Sequence, residues 1–298
     1  MPTQSELDRF EEYYVQSKQK TDERITEILR ENEDMATKRR LLEHSTKGGK
    51  RIRPVLTLLV SDIYDSPYDR AINHAAIVEF IHNASLIADD RFDGDSERRG
   101  KPTFHRMLNK VSFGKLGDKA SAGASIMGSH GLLALAQSLV KDPDVLNAVG
   151  EGTKALIDGF FAEGLPVVNG VFGGGYDKYI EINKAKTGGL FALAAWMPAT
   201  HVDADEEQED AARKYGETVG ILYQIADDIA DDELPSFVKD EAAELEKWYD
   251  EAVSHAESMP DSDKDDLLRA APAWMVQAMF EQEGIAEEVD VSFLPSEG

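Results

Sequence analysis

Cysteine is absent from all 298 residues of this chain. That excludes disulfides, thiolate metal sites and a cysteine nucleophile. Positive charge is scarce: 32 Lys and Arg stand against 57 Asp and Glu, a formal net charge of -25. So acidic a chain repels phosphate backbones, which argues against nucleic acid as a partner. No run of about 18 uninterrupted apolar residues occurs, so stable membrane insertion is not expected. The segment Met1-Pro2-Thr3-Gln4-Ser5-Glu6 lacks the basic and apolar regions of a signal peptide, and a cytoplasmic location is the simplest expectation. Strand signals are few, no long Pro/Ser-rich linker divides the chain, and no repeat of about 20 to 50 residues recurs.

What is present is acid and helix. Acidic residues are spread along the chain and are densest at 203–209 and 261–266. Such a surface suits a high-salt cytoplasm, where screening removes self-repulsion, so halophilic adaptation is expected. Residues 5–33 carry a sparse apolar stripe (Leu7, Phe10, Tyr14, Ile25, Ile28, Leu29), which predicts a surface helix or helical pair. An apolar run over 54–64 opens with Pro54 in a first helical turn. Residues 71–92 are apolar with sparse interruptions, predicting a helix buried on several sides. The stretch 121–140 is rich in Ala, Gly and Ser and predicts close helix packing. Further helices are expected at 190–199 and 215–229. A C-terminal amphipathic helix at 267–280 should be kinked or broken by Pro272. Residues 167–172 have β character and end in Gly173-Gly174-Gly175. Flexible segments are expected near 114–123 and 170–175. The reading is one all-α domain over residues 1–298.

Two aspartate clusters interrupt the apolar helices. Asp89-Asp90-Arg91-Phe92-Asp93 follows one, and Asp227-Asp228-Ile229-Ala230-Asp231 ends another. Both read D-D-x-x-D. Residues three and four apart share a helix face, so the outer aspartates of each cluster project the same way. Unpartnered buried carboxylates are too costly to be structural filler. Two such faces opposed across a cavity suit hard divalent cations, Mg²⁺ above all, and Mg²⁺ bridges phosphate oxygens. The basic residues concentrate beside them. Gly48-Gly49-Lys50-Arg51-Ile52-Arg53-Pro54 and Glu97-Arg98-Arg99-Gly100-Lys101-Pro102-Thr103 gather cations where glycine lets backbone approach an anion. The pattern points to diphosphate chemistry.

The ordered set GGKRIRP, EFIHNASLIADDRFD, RRGKPT, Lys186-Thr187 and YQIADDIAD resembles the trans-isoprenyl diphosphate synthases, or polyprenyl synthetases, over nearly the whole chain. The resemblance implies an isoprenoid synthase-type helical bundle around a central cavity, usually dimeric. It implies head-to-tail condensation, in which an allylic diphosphate ionises and isopentenyl diphosphate adds through its double bond. Mg²⁺ would be held by Asp89, Asp93, Asp227 and Asp231, with Asp90 and Asp228 as further ligands or supporting partners. Arg98 matches the position that grips the allylic diphosphate. Lys50, Arg53, His82 and Arg99 match positions that bind isopentenyl diphosphate. Lys186, Thr187 and Gln224 match positions lining the allylic site, with Lys186 neutralising diphosphate. The departing diphosphate is the usual base, so no protein base is required. Small Ala84 and Ser85, one turn before Asp89, leave the cavity floor open. Phe80 or Ile81 would close it, implying a C20 or longer product.

The chain also departs from the family's pattern. The Gly-Lys pair expected after the second cluster is missing from 232–245, where Lys239 is the lysine that would have to substitute. A G-Q-x-x-D segment is replaced near Gly159-Phe160 or Gly164-Leu165. Gly128-Ser129 stands for Gly-Asp, and Ala88 for a common histidine. The departures keep two alternatives open: a non-catalytic diphosphate-binding subunit of a prenyl synthase, and a class I terpene cyclase. Phe160, Phe161, Trp196 and Trp274 are read as core packing.

Overall fold

Thr3 opens helix α1 (Gln4–Asn32) with a capping box. Its hydroxyl accepts from the Glu6 N–H, and the Glu6 carboxylate accepts from the Thr3 N–H. A computed structural model describes the chain apart from residues 113, 116, 170–174, 287–288, 290 and 295–298, and apart from the side chains of 163–169. The sparse stripe of α1 forms one continuous helix, with Leu7, Phe10, Ile25, Ile28 and Leu29 buried. Helix α2 (Ala36–Thr46) runs into the Gly48-Gly49 turn, and α3 (Ile52–Ile63) is buried almost throughout. Helix α4 (Tyr68–Asp93) ends at Gly94, whose left-handed backbone donates to the Asp90 carbonyl. A two-residue hairpin follows, β1 (Glu97–Arg98) antiparallel to β2 (Lys101–Pro102), turning through Arg99 and Gly100 at positive φ.

Helices α5 (Phe104–Val111), α6 (Asp118–Leu139), α7 (Pro143–Asn169) and α8 (Gly175–Asn183) lead to a π-helical turn, Lys184–Gly188. Then come α9 (Gly189–His201), α10 (Glu206–Ala230), α11 (Glu241–Ala256) and α12 (Asp265–Glu283). Helix α9 is apolar on every side, and α3, α4, α7 and α10 all pack against it. Helix α6 covers α4, and α12 closes against α1 and α10. One hydrophobic core draws on residues from Leu7 to Phe293. No described helix is long and apolar enough to cross a membrane.

Several expectations need correction. Pro272 lies inside α12 without ending it. The carbonyl it deprives of a helical donor, that of Leu268, accepts instead from the buried Tyr215 hydroxyl at 2.7 Å. Residues 118–123 belong to α6, because Ser121 is buried and bonds the His105 carbonyl, which fixes the first turn. Close approach explains the small residues of this helix: a Cβ at Gly128 would lie 2.6 Å from the Phe104 ring. Residues 167–169 continue α7 rather than forming a strand, as helix context overrides local β preference. The remainder of that expectation, and the flexible segment at 170–174, lies outside the described residues. Phe161 is exposed, not core, whereas Trp274 packs on Phe10 and Tyr14.

Candidate active site

Both aspartate clusters fall at the C-terminal ends of their helices. Asp89, Asp90 and Asp93 occupy the last turns of α4, and Asp227 and Asp228 the last turn of α10, with Asp231 as its C-cap. The carboxyl end of a helix carries negative potential, so carboxylates there add to the field instead of cancelling it. Such a place demands cations. On α4 the cation is Arg98, which donates to Asp89 at 3.2 Å and also to Asp90. Asp90 is buried beneath this contact and Asp93 is exposed. Burial pushes the Asp90 carboxyl up, against the pull of Arg98.

On α10 the carboxylates divide the work. Asp228 is tied into protein contacts: it accepts from Gln224 Nε2 at 2.8 Å and from the Tyr179 hydroxyl of α8. Thr187 donates to Gln224 Oε1 at 2.7 Å, so Thr187, Gln224, Asp228 and Tyr179 form one chain of hydrogen bonds. Asp227 is half-buried, and burial raises its carboxyl above the usual range, helped by the Asp231 charge. Lys50 and Lys186 oppose that rise. The helix ends at Ala230, so Asp231 sits exposed at its cap yet close enough to be felt by Asp227.

Lys186 and Thr187 reach this position through the π-turn. An extra residue in one turn re-aims the side chains after it, and such turns recur at functional sites. The turn is clamped by glycines. A Cβ at Gly159 of α7 would lie 2.6 Å from the Lys186 amide nitrogen, and one at Gly220 of α10 would lie 2.7 Å from Gly188.

The loop before α3 supplies the cations on the other side. Arg51 takes a left-handed conformation (φ 58°), rare for a residue other than glycine. It separates Lys50, which is exposed and acts on Asp227, from Arg53 in the first turn of α3. Arg53 lies 4.6 Å over the Phe191 ring of α9 and faces His82 Nε2 at 3.5 Å. A guanidinium only donates, so Nε2 is the acceptor there. Burial, with Arg53, Arg99, Arg51 and Arg98 around it, drives His82 well below the usual histidine range, and the ring is neutral. Arg53 Nε is buried without a partner. A buried guanidinium N–H with no acceptor fits an anionic ligand. Arg99 and Lys101 also close on the glycine turn: a Cβ at Gly49 would meet Arg99 Nη1 at 3.1 Å, and one at Gly48 would meet Lys101 Nζ at 3.0 Å. The structure therefore gathers Lys50, Arg53, His82 and Arg99 around one anion-seeking turn, and Lys186, Thr187 and Gln224 beside the second cluster.

The Polyprenyl synthetase family model matches residues 36–239. This chain belongs to the polyprenyl synthetases. It is 32% identical over 213 residues to a geranylgeranyl pyrophosphate synthase of Geoglobus acetivorans, covering 70% of this chain and 64% of that protein. It is 31% identical over 266 residues to a geranylfarnesyl diphosphate synthase of Methanosarcina mazei, covering 88% and 81% of the two chains. For other relatives the chain spans only about half their length, 54% and 52% in two cases. Among solved structures, a geranyltranstransferase of Thermotoga maritima superposes with a TM-score of 0.71 at 26% identity, over 92% of this chain and 99% of that one.

The family's motifs conceal part of what this polyprenyl synthetase uses. Arg51 lies inside GGKRIRP, and Glu79 inside E-x-x-H, yet only the tertiary contacts show that they meet: Arg51 donates to Glu79 within the core. Tyr179, the donor to Asp228, stands seven residues before Lys186 with nothing local to mark it. Phe237, in the altered segment after the second cluster, stacks edge-on against Tyr179 at 6.0 Å. Lys239 is exposed. Phe160 packs edge-on against Phe92 of the first cluster at 5.2 Å. Among the described residues no three carboxylates or histidines gather tightly enough to enclose an ion by themselves.

Proposed function

We propose that this polyprenyl synthetase joins isopentenyl diphosphate head-to-tail to an allylic diphosphate and releases a prenyl diphosphate of C20 or longer. The observation that carries the reading is Arg53: a buried guanidinium with an unpartnered Nε, beside a neutral His82, on the loop whose Lys50 reaches the field of Asp227. Relatives named for C20 and C25 products support the chain length.

The metal fits the residues. Donors at the two helix ends are carboxylate oxygens without sulfur or imidazole, a hard set that suits Mg²⁺. Asp89, Asp93, Asp227 and Asp231 would hold it, and bound Mg²⁺ supplies charge neutralisation for the departing diphosphate. Asp90 and Asp228 orient the clusters through Arg98 and through Gln224 and Tyr179. Arg98 spans Asp89 and Asp90 and would offer its guanidinium to an allylic diphosphate at this end. Lys186 adds positive charge at the same end, and the aligned Thr187–Gln224 pair offers fixed dipoles to a developing cation. Lys50, Arg53, His82 and Arg99 hold isopentenyl diphosphate so that its double bond faces the ionising carbon.

The core that runs from Leu7 to Phe293 supports one domain over residues 1–298. Exposed Ile126 and Met127 on α6 support a homodimer through that helix. The missing Gly-Lys pair, in a segment whose Phe237 packs against Tyr179, favours a second reading, a diphosphate-binding subunit without turnover. One assay separates them: purified protein with Mg²⁺, isopentenyl diphosphate and an allylic diphosphate, at low and high salt, with products sized. Condensation to C20 or longer is expected. Binding of both diphosphates without product would replace the enzyme by the subunit.

A further inference from the structure

Between α1, α2 and α4 the structure buries an ion pair that no substrate role requires. The side chains of Arg51 and Glu79 are 1% and 2% exposed. Arg51 uses its whole fork: Nε donates to Asp22 of α1 at 2.8 Å, Nη1 to Glu79 of α4, and Nη2 to the Thr46 carbonyl at the end of α2. Glu79 in turn accepts from Asn83 Nδ2 at 2.7 Å, one turn along α4. Its carboxylate also acts on Arg53 and Arg99, for both of which it is among the largest favourable charges. The glycine turn is pressed onto this pair, since a Cβ at Gly49 would lie 2.5 Å from Arg51 Nη1 and 3.2 Å from Glu79 Oε1. From the other side the Tyr14 hydroxyl donates to the Lys50 carbonyl at 2.7 Å.

A buried ion pair is a poor source of stability, because desolvation offsets its attraction. What this one does is fix geometry. Three helices meet at one guanidinium, and the left-handed backbone of Arg51 sets the turn that carries Lys50 and Arg53 on either side of it in sequence, both within the field of Asp227. Like charges at Arg53 and Arg99 repel one another, and the Glu79 carboxylate acts on both, so it steadies them ahead of any substrate. We propose that Arg51 and Glu79 are positioning residues that set the affinity for isopentenyl diphosphate, and leave the allylic side untouched. The inference rests on the proposed condensation activity.

The test uses the full chain. Isopentenyl diphosphate is titrated calorimetrically into metal-free protein in EDTA, and KM is measured for each substrate with Mg²⁺. Arg51→Lys keeps the charge but loses the fork. It should weaken isopentenyl diphosphate binding about tenfold or more, with allylic KM and kcat within about threefold of wild type. The double variant Arg51→Met, Glu79→Leu removes both charges and fills the space, so its melting temperature should stay near wild type. Its isopentenyl diphosphate affinity should still fall about tenfold or more. A double variant that melts like wild type and binds like wild type would make the pair mere packing and overturn the proposal. Equal losses for both substrates in Arg51→Lys would overturn it as well, and this arm stands even where the double variant fails to fold. Wild type that neither binds isopentenyl diphosphate nor condenses it sinks the functional reading instead, whatever the variants do.

Discussion

The Tyr215 hydroxyl donates to the Leu268 carbonyl at 2.7 Å, inside a fully buried contact between α10 and α12. Leu268 stands four residues before Pro272, so this carbonyl has no helical donor. Tyr215 supplies the missing proton, which is how α12 passes through a proline unbroken. Tyr215→Phe should lower stability by about 1–3 kcal/mol, the cost of an unpaired buried acceptor. In a Pro272→Ala background the backbone N–H returns, and the same change should cost clearly less. Chemical denaturation of the four proteins checks this; equal losses in both backgrounds would reject it.

The aspartates are tested by turnover. Asp89→Ala and Asp227→Ala should each lower kcat by several orders of magnitude with helicity intact, since each removes a proposed ligand for the leaving-group metal. Asp228 is held within a hydrogen-bond chain, and Tyr179→Phe should lower kcat less than Asp227→Ala does. Activity of Asp89→Ala and Asp227→Ala within about tenfold of wild type would end the two-cluster mechanism.

Acid should destabilise the fold through His74. Its ring is buried against His201, and burial lowers it to about 4 from 6.5, with the His201 and Arg70 charges adding to the effect and Asp142 opposing it. A histidine held neutral by the fold binds its proton more readily in the unfolded chain. Stability from this group is therefore complete above about pH 6.5 and is lost as pH falls toward 4, on the order of 3 kcal/mol in all. Melting temperatures from pH 7 to 4.5 should fall, and His74→Phe should flatten the slope. An unchanged slope in that variant would assign acid sensitivity elsewhere.

Salt reports on the acidic surface. With a net charge of -25, thermal stability should rise between about 0.1 and 2 M KCl as repulsion is screened. A melting temperature that stays flat or drops over that range would dismiss halophilic adaptation.

Product length is expected to be set near the first cluster. Ala84 is 1% exposed, and its carbonyl accepts from Ser129 of α6 at 2.8 Å, so its small size serves the close approach of α6. Ser85 is half-buried and has more room. Ser85→Phe should shorten the product. Ala84→Phe should shorten it too, but with a stability loss of about 1–3 kcal/mol from overpacking. Phe80→Ala or Ile81→Ala should lengthen it. Chromatography of the products decides, and a wild-type enzyme that stops at C15 would contradict the reading.

The chain's residue pattern alone specified the helical class, because periodicity and a lack of strand signals are local. It also determined the chemistry of the two aspartate ends and the basic turns, because residue type and spacing along one helix fix which groups share a face. It was less informative for α2, α5, α7 and α8, whose apolar faces are short or crowded with small and charged residues. Partners that lie far apart in the chain were beyond it. Nothing local pairs Arg51 with Glu79, Tyr179 with Asp228, or Tyr215 with Leu268. Each of these contacts depends on how the helices pack: α3 against α4 in the first, α8 against α10 in the second, and α10 against α12 in the third. The π-turn at Lys184–Gly188 is decided the same way, by glycines on neighbouring helices that leave room for one extra residue. Burial then sets the charge states that sequence leaves open: a neutral His82 among arginines, and an Asp227 raised by desolvation. Those states depend on how much water the packed fold removes, and only the tertiary structure decides that.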